Sequence, residues 1–589
     1  MSNSPVADRA DSQQAPHSAR TADSTPISSD SSGTFLSVRL QVALLLAFVL
    51  AAYANSLSNG FTMDDELYIL RNPQVTQHSL RLLFQPNGAS NVFRPVTFAT
   101  FALNWITAGY RPLGYHLVNF LLHAAVVVLL FFVLRNLLAG IAQREFICFS
   151  AALLFAVHPL HTEAVSSVVG RSELLAAGFL LAAWLFHLRD RYILVLVSFV
   201  LALLSKESAI GLLALLLAGD YARGKGKPWT RYAGLAAVTL IYLGALWKIQ
   251  GGRFGAAGVS VLDNPLVLLP RHLGVLNAVR IAWKYLALLI FPATLSCDYS
   301  YNQIPLFADA RHLLLPLAAG LLVLAAWVWA VGKRKTAYII AGAVYFVGFA
   351  ATCNILTRTG TIFGERLAYF PSAGFCLLAA LACATVVSRH RSAAIALVAL
   401  ISVSLALRTV VRNRDWHDNS TLYTAGADAV PNSTKMRTFR GILYLGANDF
   451  ERSRSDLQTA LSIYPEYPDA VEAMGLLEVR SGNGPKALPL MQKAVEMSDR
   501  KDIDYDYRAV NLAALEIQMG KLDDAMKLLN REIVESPGYS RAWSNRAVLH
   551  LKLGQLVQAR EDARAAIEID ARNTQALNVL NRQSGAPLP

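Results

Sequence analysis

Charge is scarce in this chain. Asp, Glu, Lys and Arg make up 16% of its 589 residues, against about a quarter in an ordinary soluble domain. Apolar residues reach 54% and the mean hydropathy is +0.37, which excludes a conventional soluble globule. Cysteine is scarce too. Cys148, Cys297, Cys353, Cys376 and Cys383 show no CxxC spacing, and four of them fall in or beside apolar runs. They read as small hydrophobes, with no disulfide framework or zinc ribbon. A glycine-rich nucleotide loop is missing, and so is any HExxH pattern.

What is present is a series of apolar runs of roughly 17 to 25 residues through the first 410 positions, the length that crosses a hydrocarbon core of about 30 Å. The formal charge is +13. Much of the basic excess lies in short loops between apolar runs, where it orients spans in a bilayer; no nucleic-acid partner is indicated. Residues 1–33 are rich in Ser, Ala, Asp, Thr and Pro and lack aromatics, the composition of a disordered tail. The run Phe35 to Ala54 ends in Ala-Tyr-Ala-Asn, a faint signal-peptidase pattern, but with many spans following it reads as an uncleaved anchor.

Loop charge orients the membrane domain, residues 34–411. The basic loops Arg135–Arg144, Arg189–Arg191, Tyr221–Arg231, Gly332–Lys335 and Ser388–Arg391 belong on the cytoplasmic side. Residues 55–113, 158–172, 205–208, 249–311, 354–366 and everything after 411 then face outside. Keeping this parity requires two short spans meeting at Lys206 and Glu207, and a re-entrant or interfacial course for 273–292. About eleven full crossings are expected.

A linker at 412–433 leads into polar sequence at 434–583. Gly520 and Gly554 are 34 residues apart, as are Ala525 and Ala559, and looser turns fall at Gly446 and Gly482. That is the tetratricopeptide period, with Trp543 opening the last copy and Pro465 and Pro537 closing two others. About four repeats should stack into an α-solenoid whose groove suits a peptide or partner protein. The fold class is all-α: a polytopic helical domain followed by the solenoid.

Polar residues at the outer membrane face are the site candidates. Asp64 and Asp65 sit together in the first outer loop, 55–113. A carboxylate beside another carboxylate suits a general base toward a hydroxyl; a helix N-cap before Glu66 is the plainer alternative. Arg94 suits a phosphate contact or a salt bridge. His158, His161 and Glu163 have partial metal-ligand spacing, but Pro159 interrupts the helix that would align them. The alternatives are a headgroup-gripping cluster of His161, Glu163 and Arg171, or helix capping with a structural ion pair. Glu173 follows two residues on. Lys206, beside Glu207, either neutralises a phosphate or snorkels to the surface. Glu365 and Arg366 either pair functionally or simply start a charged helix.

These segments carry a resemblance. In order they are Asp64-Asp65, Arg94-Pro-Val-Thr97, Gly114-Tyr-His-Leu-Val-Asn119, His158-Pro-Leu-His-Thr-Glu-Ala-Val165, Gly170-Arg171, Lys206-Glu207, Asp298-Tyr-Ser300 with Ile304-Pro305, and Glu365-Arg366 before Tyr369-Phe-Pro-Ser372. Together with Arg412-Asn-Arg-Asp-Trp416 ahead of the repeats, the chain resembles the transmembrane and tetratricopeptide-repeat-containing O-mannosyltransferases, of the GT-C glycosyltransferase superfamily.

The resemblance implies a polyprenyl-phosphate-linked sugar donor, mannose in the eukaryotic members, and transfer to a protein Ser or Thr hydroxyl. By analogy Asp64 or Asp65 is the catalytic base. Arg171, Lys206, His161 and Arg366 would hold the donor phosphate, with Arg94, His158, Glu163, Glu173, Glu207, Asp298 and Glu365 supporting. No cofactor is assigned, and a divalent metal stays an alternative. The array of about four repeats is shorter than in the animal members, which leaves the acceptor open. The Ser/Ala-rich leader and compact loops suggest a bacterial inner-membrane protein with its repeats in the periplasm, or in the lumen if eukaryotic. Two other readings are a non-catalytic membrane scaffold and a lipid-linked glycan ligase or assembly transferase.

Overall fold

A computed structural model describes residues 36–77, 79–86, 92–226, 228–252, 259–387, 390–500 and 504–584. The expected disordered tail at 1–33, Asn91, Lys227 and the Ser388-Arg389 part of the last basic loop lie outside the described residues. The described chain is helical throughout, with no strand.

The membrane-domain helices are α1 (Val38–Tyr53), α2 (Pro95–Ala108), α3 (Pro112–Leu137), α4 (Arg144–Ala156), α5 (Arg171–Leu188), α6 (Tyr192–Ser205), α7 (Leu212–Arg223), α8 (Trp229–Ile249), α9 (Arg271–Ile290), α10 (Leu314–Gly332), α11 (Thr336–Ala350), α12 (Ser372–Val387) and α13 (Arg391–Asp415). Local chemistry sets several starts. Ser37 caps α1 by accepting the Leu40 N–H, and α2 and α3 open on proline, whose missing N–H costs nothing there. Among the described residues, seven helices are long and apolar enough to cross a bilayer, one bent pair (Arg144–Ala156 with Pro159–Ser166, 50°) passes the same test jointly, and three are shorter and apolar. The chain is a multi-pass membrane protein. Its core is one large cluster spread over α1, α3 to α8, α11, α12 and α13. Gly374 lets α12 cross close to α11, because a Cβ there would stand 2.3 Å from the Ala341 carbonyl oxygen.

The chain breaks at Lys206, as the charge parity requires. Lys206 contacts Glu173 at the start of α5, and Asp220 near the end of α7 meets His187 at the other end of α5, 2.6 Å away. So α6 and α7 run out and back along α5. Helix α9 has the length and composition of a crossing. Its buried residues Ala278, Ile281, Tyr285, Leu288 and Leu289 pack with Trp416, Leu422, Val430 and Met436, on the path to the repeats.

Helix α14 (Asn419–Ala429) bridges to the solenoid. Four helix pairs follow: α15 (Thr434–Gly446) with α16 (Phe450–Ile463), α17 (Pro468–Arg480) with α18 (Gly484–Met497), α19 (Tyr505–Gln518) with α20 (Leu522–Glu535), and α21 (Ser540–Lys552) with α22 (Leu556–Ile569). A last helix, α23, covers Thr574–Ser584. Each repeat buries small residues such as Ala525 and Ala559, the positions whose 34-residue spacing gives the repeat away.

The first repeat is joined to the segments on either side of α9. Ser433 Oγ donates to Asp298 Oδ2 at 2.8 Å, Thr434 N to the Tyr301 carbonyl at 3.0 Å, and Lys435 contacts Asp263. Leu262 packs against Ala460, Tyr467 and Ala470.

Candidate functional site

Asp64 and Asp65 are neighbours in sequence with opposite surroundings. Asp65 is fully buried. Its Oδ2 accepts the Thr62 N–H at 2.9 Å and its Oδ1 the Val169 N–H at 3.0 Å, so it pins the loop after α1 to the turn ahead of α5. That turn is tight: a Cβ on Gly170 would lie 2.3 Å from the Ala164 oxygen. Burial, with a smaller push from Asp64, raises the Asp65 carboxyl to about 7 against the pull of its backbone donors.

Asp64 faces the other way. Its side chain is 33% exposed, and Oδ2 lies 3.3 Å from Arg366 Nη1. Arg366 Nε lies 3.4 Å from Glu163 Oε1, and the Arg366 backbone N–H donates to Glu163 Oε2 at 2.8 Å. One guanidinium thus joins an open carboxylate to a buried one. Burial alone would lower the Arg366 pKa, but Glu163 and Asp64 raise it, so the group stays a cation.

A second cluster lies beside the first. Arg94, at the start of α2, reaches Glu207 with both Nε (3.0 Å) and Nη2 (2.7 Å). Lys206 pairs with Glu173, both nearly buried. Burial lowers the Lys206 pKa despite Glu173. Thr97 ties α2 to the same hairpin tip by donating to the Ser205 carbonyl at 2.9 Å. Glu173, Ser208 and Thr352 edge a small cavity that runs down α5 past Ala176 and Ala177 to Leu180.

Several sequence candidates sit elsewhere. Arg171 is fully buried, donating to Asn119 Oδ1 (2.8 Å), the Thr100 carbonyl (3.2 Å) and the Tyr115 carbonyl (3.0 Å), with its guanidinium over the Phe101 ring. It clamps α5 to α2 and α3, and its recorded acceptors are all neutral. Arg171, expected from the sequence at the donor phosphate, is placed here as an internal clamp. His161, expected there too, is buried with Nε2 2.8 Å from Ser372 Oγ among Phe155, His123 and Tyr369, while its Nδ1 has no hydrogen-bond partner among the described residues. His158 caps the following turn, with Nδ1 accepting the Leu160 N–H (3.2 Å) and Nε2 donating to the Leu289 carbonyl (3.0 Å). With Glu163 turned to Arg366, these three residues do not converge. No group of three or more His, Cys, Asp or Glu among the described residues is placed to hold a metal.

Asp298 closes a turn on Ser300 and accepts from Ser433, at the junction with the repeats. Glu365 is fully buried; its Oε1 accepts from the Ser296 N–H and the Tyr299 hydroxyl, both at 2.6 Å. Burial pushes its carboxyl up to about 7, against Arg412. Sequence reasoning passed over two residues that shape the site, Asn119, which orients Arg171, and Asn419, which holds the loop beside Asp64. For Asn419 a signal existed in the Asp418 to Thr421 capping pattern.

The geometry defines an all-α, multi-pass membrane protein with an acidic and basic cluster at one membrane face and a tetratricopeptide solenoid behind it. The family profile of the tetratricopeptide repeat matches residues 440–502 and 510–574. The chain is 27% identical over 604 residues to mouse protein O-mannosyl-transferase TMTC3, covering 90% of this chain and 64% of the relative. It is 30% identical over 443 residues to the Caenorhabditis elegans protein O-mannosyl-transferase F38B6.6, covering 72% and 63% respectively. The crystal structure of YrrB, a TPR protein with an unusual peptide-binding site, aligns with 34% of this chain and 98% of its own at 18% identity and a TM-score of 0.23. The chain is a homologue of the transmembrane and tetratricopeptide-repeat-containing protein O-mannosyl-transferases. It spans a little under two thirds of the length of these curated relatives.

Proposed function

We propose that this protein is a membrane glycosyltransferase that moves a sugar, mannose by relation to its homologues, from a polyprenyl-phosphate donor to the hydroxyl of a protein Ser or Thr on the outer side of the membrane. The observation that carries this reading is the divergence of the paired aspartates: Asp64 is the open carboxylate beside a cation, while Asp65 is a buried brace. The names of the relatives support the transfer reaction.

In this reading Asp64 takes the proton of the acceptor hydroxyl as its oxygen attacks the anomeric carbon. The bond from that carbon to the phosphate oxygen breaks, the configuration inverts, and the polyprenyl phosphate leaves with the electron pair. Arg366 steadies the developing charge, a use of fixed cations that is strongest in a water-poor site. Lys206 supplies a second positive group by exchanging Glu173 for the phosphate, with Arg94 and Glu207 holding the hairpin tip beside it. Residues 34–411 form the catalytic domain, 412–433 the linker, and 434–583 present an acceptor protein from the outer side, the periplasm in a bacterium.

The test is transfer of radiolabel from polyprenyl-phosphate mannose to protein by the full chain in lipid. Asp64→Asn should lose activity by about 100-fold or more, while folded Asp65→Asn should keep a measurable rate. Folded wild-type protein that transfers no sugar from any polyprenyl-phosphate donor would overturn the reading.

A further inference from the structure

The residue just before Asp64 is held in an unfavourable backbone conformation by a side chain from the linker. Met63 has φ +49°, the left-handed region that costs a side-chain-bearing residue on the order of 1 kcal/mol or more and persists only where its surroundings enforce it. The Met63 N–H donates to Asn419 Oδ1 at 2.8 Å. Three residues earlier the Gly60 N–H donates to the His417 carbonyl at 2.7 Å, an approach so close that a Cβ on Gly60 would stand 3.3 Å from that oxygen. Asn59 Nδ2 donates to the Asn413 carbonyl at 3.2 Å.

Asn419 is itself fixed. It is the first residue of α14, directly after Asp418, whose side chain accepts the Thr421 N–H at 2.8 Å while Thr421 Oγ1 accepts the Asp418 N–H at 3.1 Å. A capping box of this kind sets how a helix begins, and here it sets where the carboxamide of Asn419 points. Beyond the far end of α14, Ser433, Thr434 and Lys435 anchor the first repeat to Asp298, Tyr301 and Asp263. The linker is therefore held at both ends.

We infer that Asn419 is a positioning residue for Asp64: its carboxamide holds Met63 in the turn that directs Asp64 outward to Arg366 while Asp65 turns inward. This inference rests on the reading of Asp64 as the base. It makes the linker into the repeats a structural wall of the active site, needed for transfer to any acceptor, whether or not the solenoid binds it.

The test compares Asn419→Leu, which removes the acceptor oxygen, with Asn419→Asp, which keeps it, in the full chain in lipid with radiolabelled polyprenyl-phosphate mannose. Asn419→Leu should lower kcat by about tenfold, with the donor KM within about twofold, because geometry rather than donor binding is disturbed. Asn419→Asp should recover most of the rate, and its pH–rate profile should move to higher pH, since a new carboxylate near Asp64 disfavours ionisation. The shift reports how near residue 419 stands to Asp64, so an unmoved profile overturns the inference even if Asn419→Leu does not fold. So does wild-type kcat in Asn419→Leu. Asp64→Asn, run alongside, separates the two claims. If it stays fully active, the base assignment fails; if it is dead while Asn419→Leu is unimpaired, only the positioning role fails.

Discussion

Arg366 Nη1 lies 3.3 Å from Asp64 Oδ2, and the same guanidinium leans on the buried Glu163. Replacing Arg366 by Met strips the cation from both carboxylates, and sugar transfer should fall by about 100-fold or more. Arg366→Lys keeps the charge but loses the planar fork that serves two partners, so it should retain more activity than the Met variant. Initial rates at saturating donor check the order wild type, Lys, Met.

Arg171 should behave as a structural residue. Substituting Met leaves Asn119 Oδ1 and the Tyr115 and Thr100 carbonyls without their donor, a cost of roughly 3–5 kcal/mol. The expected outcome is a large fall in melting temperature, with an unchanged donor KM in whatever folded protein remains. Lys206→Ala should raise donor KM as well as lower stability, since it leaves the nearly buried Glu173 without its partner. Thermal melts and steady-state kinetics on both variants separate the two roles.

Asp65 and Glu365 both have carboxyls raised to about 7 by burial. In the unfolded chain these groups titrate near 4, so the folded state binds more protons between about pH 4 and pH 7. Their contribution to stability is full below the unfolded values and is lost as pH rises through about 7. Melting temperature in lipid should therefore fall from pH 5 to pH 8, and the slope should shrink in Glu365→Gln.

Orientation can be read with engineered thiols, since the native cysteines are buried apart from the half-buried Cys353. Val534→Cys lies on an exposed position of α20 and should react with an impermeant maleimide in intact spheroplasts. Lys333→Cys, in the basic turn after α10, should react only after lysis. Labelling in the opposite pattern would invert the proposed topology.

The helical membrane body and the repeats were legible because both are written in periodicity: apolar runs of bilayer length, and glycine and alanine recurring at 34 residues. The break at Lys206 was legible from charge alone, because one long span would have put the most basic loop on the wrong side. Within the site, residue types named the acidic pair and Arg366 but not their directions. Neighbouring Asp64 and Asp65 have the same chemistry in one dimension, and only the fold, through Val169 and the turned backbone at Met63, sends one inward and the other out. For Arg171 and His161, residue type likewise carried no information about burial. Charge or an imidazole at a membrane face signals function only when water or substrate can reach it, and here Asn119 and Ser372 occupy those groups first.

The out-and-back pair α6 and α7 has a consequence for the lipid. Helix α6 has 14 residues, a rise of about 21 Å, against a hydrocarbon slab of about 30 Å. Lipids packed against a span this short would have to shorten or tilt to match, thinning the bilayer next to Lys206 and Glu207. In the proposed reaction, a donor phosphate could then descend to the charged cluster without its chain being lifted out of the oil.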